Sequence, residues 1–180
     1  MKLCKWVNLN NPKYIEYHNN EWGILNKDDK YLFEMLILEC FQAGLSWECI
    51  LNKRENFRLA YDSFNIDKII NYDIDKINEL LNNKGIIRNK SKIVASINNA
   101  FIFKNIISEY GSFYNYLCTF TGGVVFYETD NTKSSLSDSI SRDLTKRGMK
   151  YVGSITIYSY LQAIGIIYSH DRNCFKYKCK

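Results

Sequence analysis

Proline is nearly missing from this chain; Pro12 is the only one. That excludes collagen-like segments and proline-rich linkers. Histidine is almost as scarce, with only His18 and His170, so any imidazole chemistry must draw on those two. No stretch reaches the ~18 uninterrupted apolar residues of a membrane-spanning helix. The most apolar region, Tyr31 to Leu45, carries Glu34, Glu39 and Gln42. The opening residues Met1 to Trp6 hold no apolar run of signal-peptide length. Negative charge is in mild deficit: 19 Asp and Glu stand against 24 Lys and Arg, for a net charge of +5. Such a surplus suits a polyanionic partner without requiring one. A cytoplasmic protein with no membrane contact is expected.

The rest is ordinary globular composition. The chain has 180 residues, 46% hydrophobic and 24% charged, which excludes disorder and long coiled coil. One compact domain over residues 1–180 is expected, burying roughly 70% of the surface its unfolded chain exposes. The 20 Asn, like the abundant Lys and Ile, read as base-composition drift and carry no functional weight. Six Cys in an intracellular chain do not suggest a disulfide framework. Cys40, Cys49 and Cys118 lie among apolar residues and read as core. Cys4, Cys174 and Cys179 lie near the termini in polar surroundings.

Hydrophobic periodicity is helical almost throughout. Lys30 to Ala43 is apolar nearly all round, the pattern of a helix buried on most faces. Gly44 stops it, and Ser46 can cap a following helix from Trp47 to about Phe57. Shorter helices are predicted over Ile66–Ile70, Asp75–Leu81 and Phe113–Phe120, and a long one over Ser91–Ser108. Two more are predicted over Ser137–Lys146 and Gly153–Gly165. Gly122 to Ser137 reads as a long loop, because Val124-Val125-Phe126 resembles a strand with no evident partner. The fold class is all-α, with the first and last segments meeting.

Four constellations could carry chemistry. Cys4, His18, His170 and Cys174 pair each His with a Cys, and His170 and Cys174 are separated by a metal-like spacing. Two Cys and two His would form a closed tetrahedral shell, hence a structural metal. The alternatives are unrelated surface side chains, or Cys179 in place of Cys174. Trp6, Tyr14, Tyr17, Trp22 and Trp47 supply aromatic faces that could stack on nucleobases, although aromatics more often build core. Glu39 sits in the most apolar helix, where a carboxylate must be paired, turned outward or functional. Finally, Lys84-Gly85-Ile86-Ile87-Arg88-Asn89-Lys90-Ser91 forms a glycine turn leading into a helix. Its free N–H groups, with Arg88, Lys90 and Lys92 beside them, suit a phosphate.

Several longer motifs resemble a known family in order along the chain. They are Tyr17-His18-Asn19-Asn20-Glu21-Trp22-Gly23, Gln42-Ala43-Gly44-Leu45-Ser46-Trp47, Lys53-Arg54-Glu55-Asn56-Phe57, Gly85-Ile86-Ile87-Arg88 with Lys92-Ile93, and Lys146-Arg147-Gly148-Met149-Lys150-Tyr151-Val152-Gly153. Together they resemble the DNA-3-methyladenine glycosylase I family of helix-hairpin-helix glycosylases, from Cys4 to Cys174. The resemblance implies a single helical domain whose zinc annex joins residues 1–25 and 165–180. It implies Zn2+ held by Cys4, His18, His170 and Cys174 in a structural role. Glu39, Tyr17 and Trp47 match the family's base pocket, with Trp6, Tyr14 and Trp22 nearby. Gly44 and Leu45 match the loop that fills the gap left by a flipped nucleotide, and Gly85, Arg88 and Lys90 fall in the DNA-binding hairpin.

The implied activity is hydrolysis of the N-glycosidic bond of 3-methyladenine. The implied partners are double-stranded DNA with alkylated adenine and the free base, met by a monomer at the nucleoid. A cationic base is already a good leaving group, and the helix Ser91–Ser108 has no Asp of the kind related glycosylases place after the hairpin. Catalysis is therefore assigned mainly to selective binding of the cation. This chain departs from the family at Cys118, where Trp is usual, at Phe41, where Gln is common, and in a Gly122–Ser135 loop without prolines. Two alternatives remain: a zinc-stapled DNA-binding module without catalysis, and a Cys–His hydrolase using Cys174 and His170.

Overall fold

The computed structural model describes residues 1–178; Cys179 lies outside the described residues. Nine α-helices are present among them: α1 (Pro12–Asn20), α2 (Asp29–Gln42), α3 (Trp47–Ala60), α4 (Ile66–Ile69), α5 (Ile74–Asn82), α6 (Lys90–Tyr110), α7 (Phe113–Thr121), α8 (Ser135–Lys146) and α9 (Ser154–Ala163). Among the described residues no helix is long and apolar enough to cross a membrane.

The core is built around α2. Every residue from Leu32 to Phe41 is buried, as its all-round apolar pattern requires, and α3, α6, α7 and α9 pack against it. Aromatic contacts tie these layers together: Phe33 meets Phe103, Phe41 meets Phe57, and Phe103 stacks on Phe113 at 3.9 Å between ring centres. Side-chain caps set the helix starts. Asp28 accepts from Tyr31 N, Ser46 from Cys49 N and Asn89 from Lys92 N, each satisfying an amide the first turn leaves over.

One helix is absent from the sequence expectations and one expected loop needs correction. α1 was not foreseen, because its inward residues are Tyr14, Tyr17 and His18 rather than aliphatics. Its signals were Asn11 as cap and Pro12 at the first helical position. The expected loop at 122–137 also contains a short strand, β1 (Phe126–Tyr127), paired in parallel with β2 (Ile167–Tyr168) in the register Phe126↔Ile167. Its partner follows α9, so no local pattern could announce the pairing. The turn into β2 depends on Gly165, at φ +79°, where an added Cβ would lie 2.2 Å from Leu25 N.

Candidate base pocket, metal cluster and hairpin

α1 carries Tyr14, Tyr17 and His18 at spacings of three and four, hence on one face. That face packs against α3 and shares a cleft with Glu39 of α2. A cleft of about 260 Å³ opens there, lined by Trp6, Tyr14, Tyr17, Trp22, Glu39 and Trp47. All six aromatic and acidic residues singled out in the sequence are thus brought together. Trp6 packs on Tyr14 and Trp22, with ring centres 5.2 and 4.8 Å apart, and Tyr17 lies 5.3 Å from Trp47. The opposite side is polar and was not foreseen. It includes Ser159 and Gln162 of α9, Ser169, Asp171, and Asp130 and Asn131 from the loop after β1. No spacing rule links these residues; α9, the segment after β2 and the loop after β1 bring them together. Among the described residues the cleft lining holds three carboxylates and no Lys or Arg, an unusual balance in a basic chain.

α2 holds two buried carboxylates with opposite fates. Glu34 is paired with Arg54 at 2.6 Å and Arg58 at 2.8 Å, and Arg54 also reaches Glu21 at 2.7 Å. Glu39 is 3% exposed, and its Oε2 has no hydrogen-bond partner among the described residues. Burial pushes its carboxyl up to about 8. The indole Nε1 of Trp47 is likewise buried without a partner. Burial raises Tyr17 well above the usual phenol range and Tyr14 to about 12, with the Glu39 charge adding to both. Unsatisfied buried polar atoms are rare in folded proteins and call for an explanation. Glu39 offers an acceptor, and Trp47 a donor, to a polar ligand seated between aromatic faces.

Beside this wall, the ligand atoms of Cys4, His18, His170 and Cys174 lie within 4.8 Å of one another, all four residues buried. Cys4 Sγ is 3.4 Å from His170 Nδ1; Cys174 Sγ is 3.4 Å from His18 Nε2 and 3.6 Å from His170 Nδ1. Metal bonds of ~2.3 Å to sulfur and ~2.0–2.1 Å to nitrogen in a tetrahedron give sulfur–nitrogen edges of ~3.5 Å. The donor set therefore fits a metal ion. Asn19 Oδ1 lies 2.8 Å from His18 Nδ1 and holds the ring with Nε2 inward. The amides of Asp171 and Lys176 donate to the two sulfurs at 3.3 and 3.5 Å, outer contacts of the kind that orient metal ligands. Burial lowers both His and raises Cys4 to about 12. The imidazoles are thereby kept neutral, and the thiol waits for a cation to deprotonate it. With a metal bound, all four donors would be taken up, leaving Cys174 and His170 no open position for a nucleophile and its base.

The turn between α5 and α6 forms the expected hairpin. Gly85 N donates to Asn83 Oδ1 at 2.8 Å, and a Cβ at Gly85 would meet Asn83 Oδ1 at 3.0 Å and Asn56 Cβ at 3.1 Å. Lys53 Nζ donates to the carbonyls of Lys84 and Gly85. Arg88 and Lys90 are exposed, as a phosphate contact requires. Lys92, expected beside them, is instead buried. Gly44, at φ +82°, and Leu45, 40% exposed, form the projecting tip between α2 and α3.

The family of methyladenine glycosylases matches residues 6–177. DNA-3-methyladenine glycosylase 1 of Escherichia coli (strain K12) is 39% identical over 184 residues, spanning 98% of this chain and 97% of that protein. A crystal structure of a 3-methyladenine DNA glycosylase I aligns with a TM-score of 0.94 at 37% identity, covering 98% of this chain and all of that one. The Staphylococcus aureus 3-methyladenine DNA glycosylase I, solved to explain its recognition of 3-methyladenine, aligns with a TM-score of 0.93 at 30% identity over 100% of this chain and 99% of its own. Matched along almost its whole length in both sequence and fold, this chain belongs to the methyladenine glycosylase family.

Proposed function

We propose that this protein flips 3-methyladenine out of alkylated duplex DNA and hydrolyses its N-glycosidic bond. Water adds to the sugar carbon and gives up a proton to solvent, the base departs with the bonding electrons as a neutral molecule, and an abasic site remains. The observation that carries this reading is the unpartnered Glu39 carboxyl buried at an aromatic cleft. A flipped base costs a few kcal/mol of lost stacking and pairing, and faces such as Tyr17 and Trp47 return part of it. Glu39 accepts from the exocyclic amine of adenine. Guanine would place a carbonyl oxygen there, setting acceptor against acceptor.

The alkylated base is cationic within DNA, so aromatic faces and a carboxylate favour it over neutral adenine. The cation draws Glu39 into its ionised form as it enters. No acid is needed to protonate the leaving group, and the reaction gains from binding that strengthens with charge. Gly85, Arg88 and Lys90 grip the backbone phosphates, while Gly44 and Leu45 enter the gap. Cys4, His18, His170 and Cys174 hold a structural zinc that braces residues 1–25 against 165–180 within a single domain.

The test is base release from methylated duplex DNA, scored for 3-methyladenine against 7-methylguanine. Rapid, selective release of 3-methyladenine is expected. Duplex binding without release would leave a zinc-stapled binding module and refute the enzyme.

A further inference from the structure

Lys92 stands in the first turn of α6, where the sequence suggests a cation facing DNA. Its ammonium points the other way. The residue is 8% exposed, and Nζ donates to Phe41 O at 2.8 Å and to Ala43 O at 2.6 Å. These carbonyls lie at the C-terminal end of α2, where a helix leaves acceptors unpaired and its dipole is negative. The Ala43 carbonyl belongs to the peptide whose nitrogen is that of Gly44. Lys92 therefore grips the last anchored atoms before the exposed tip.

Its own backbone is fixed in turn. Lys92 N donates to Asn89 Oδ1 at 3.1 Å, and Asn89 is the residue that ends the hairpin turn. The tip is otherwise a small self-contained loop: Leu45 N donates to Gln42 O, and Gln42 Nε2 donates to Leu45 O. α3, which follows the tip, reaches the hairpin through Lys53, and the Lys92 ammonium ties the near side of the tip to the start of α6.

We propose that Lys92 is a positioning residue that locks the Gly44–Leu45 tip to the Gly85–Lys90 hairpin, so that phosphate grip and entry of the tip into the duplex share one geometry. The inference rests on the reading above, in which the tip fills the gap and the hairpin holds phosphate. The physical reason is local. Two carbonyl oxygens converge on one point, and only a cation between them keeps them there. Without it they turn toward water, and the flexible Gly44 lets the tip swing.

The variants are Lys92→Met, which keeps the buried stem, and Lys92→Arg, which keeps donors for both carbonyls. Leu45→Ala tests the underlying reading. Three quantities are measured: calorimetric binding of free 3-methyladenine, single-turnover release from methylated duplex, and fluorescence of a 2-aminopurine beside an abasic analogue. Lys92→Met should bind the free base within about twofold of wild type and keep the wild-type salt slope, because neither pocket nor phosphate contact has changed. Release from duplex should slow by roughly 10- to 100-fold, the range of a charged hydrogen bond. The fluorescence change should shrink with it. Lys92→Arg should recover most of both, and adding Leu45→Ala to Lys92→Met should worsen release little further.

Wild-type release and fluorescence in Lys92→Met, with Leu45→Ala impaired, would overturn the role of Lys92 and leave the tip reading standing. Leu45→Ala without effect would overturn the tip reading itself. Loss of free-base binding in both Lys92 variants would show a general structural residue and overturn the proposal.

Discussion

Replacing Glu39 by Gln separates the energetics of the empty cleft from those of the filled one, and the two should move in opposite directions. Burial lifts the Glu39 carboxyl from an ordinary 4.5 to about 8, roughly 5 kcal/mol against the ionised form. In the unfolded chain the same group titrates near 4.5. The folded state therefore holds a proton that the unfolded state loses between those values. That stabilisation is fully present below pH ~4.5 and is lost as pH rises through about 8.

Gln has no proton to lose. Between pH 5 and pH 9 the wild type should thus lose roughly 3–4 kcal/mol of folding stability relative to Glu39→Gln. Other titrating groups are common to both proteins and cancel. The assay is urea unfolding of the two proteins at both pH values, without DNA or base. Parallel stability profiles would refute the claim that Glu39 is desolvated and unpaired.

A cationic base reverses the sign. Held in DNA, that base favours the carboxylate, so binding of methylated duplex below pH ~8 should expel a proton, seen as a buffer-dependent heat. Glu39→Gln should bind 3-methyladenine more weakly by about 1–3 kcal/mol and gain relative activity on methylated guanine. If binding were intact and only the chemical step fell ~10²–10⁴-fold, Glu39 would be a general base and the assigned role would fail.

Three further outcomes are expected. Metal analysis should find one zinc per chain, retained in Cys179→Ala and lost or greatly weakened in Cys174→Ala; full retention in Cys174→Ala would remove it from the ligand set. Arg88→Ala should weaken binding evenly across DNA sequences and reduce the salt slope by one phosphate contact, ~0.7–0.9 log units per log unit of salt. An unchanged slope would mean that the hairpin does not touch DNA. Gly165→Ala forces a Cβ to within 2.2 Å of the Leu25 backbone, and its cost should reach several kcal/mol, a lowered unfolding midpoint being the readout.

Much of this architecture is legible in the residues themselves. The helix stop at Gly44 and the cap at Ser46 follow from residue type, and the pairing of each scarce His with a Cys foretells the buried cluster. What stayed hidden depends on distant partners. Glu34 and Glu39 look alike in sequence, and only the fold brings Arg54 and Arg58 to the first and neither to the second. Lys92 looks like its neighbour Lys90, yet two residues along the helix is just over half a turn, which sends it inward. The polar wall of Ser159, Gln162 and Ser169 follows from where α9 and β2 fall relative to α1, which periodicity does not encode.

The metal-ligand cluster also bears on the order of assembly. Cys4 and His170 lie 166 positions apart, and the ring of His18 touches that of His170 edge to face while Trp6 and Trp22 pack around them. One wall of the base cleft therefore consists of residues made first, braced by residues made last. Because chains emerge from the ribosome N-terminus first, Trp6 and Trp22 must wait for nearly the whole polypeptide. Closing so long a loop costs ~5 kcal/mol of chain entropy, which the packed helices must have prepaid by bringing the ends together. A partly synthesised chain can hold a hairpin fit for phosphate while lacking a finished base cleft, so competence for excision should arise abruptly, as the final event of folding.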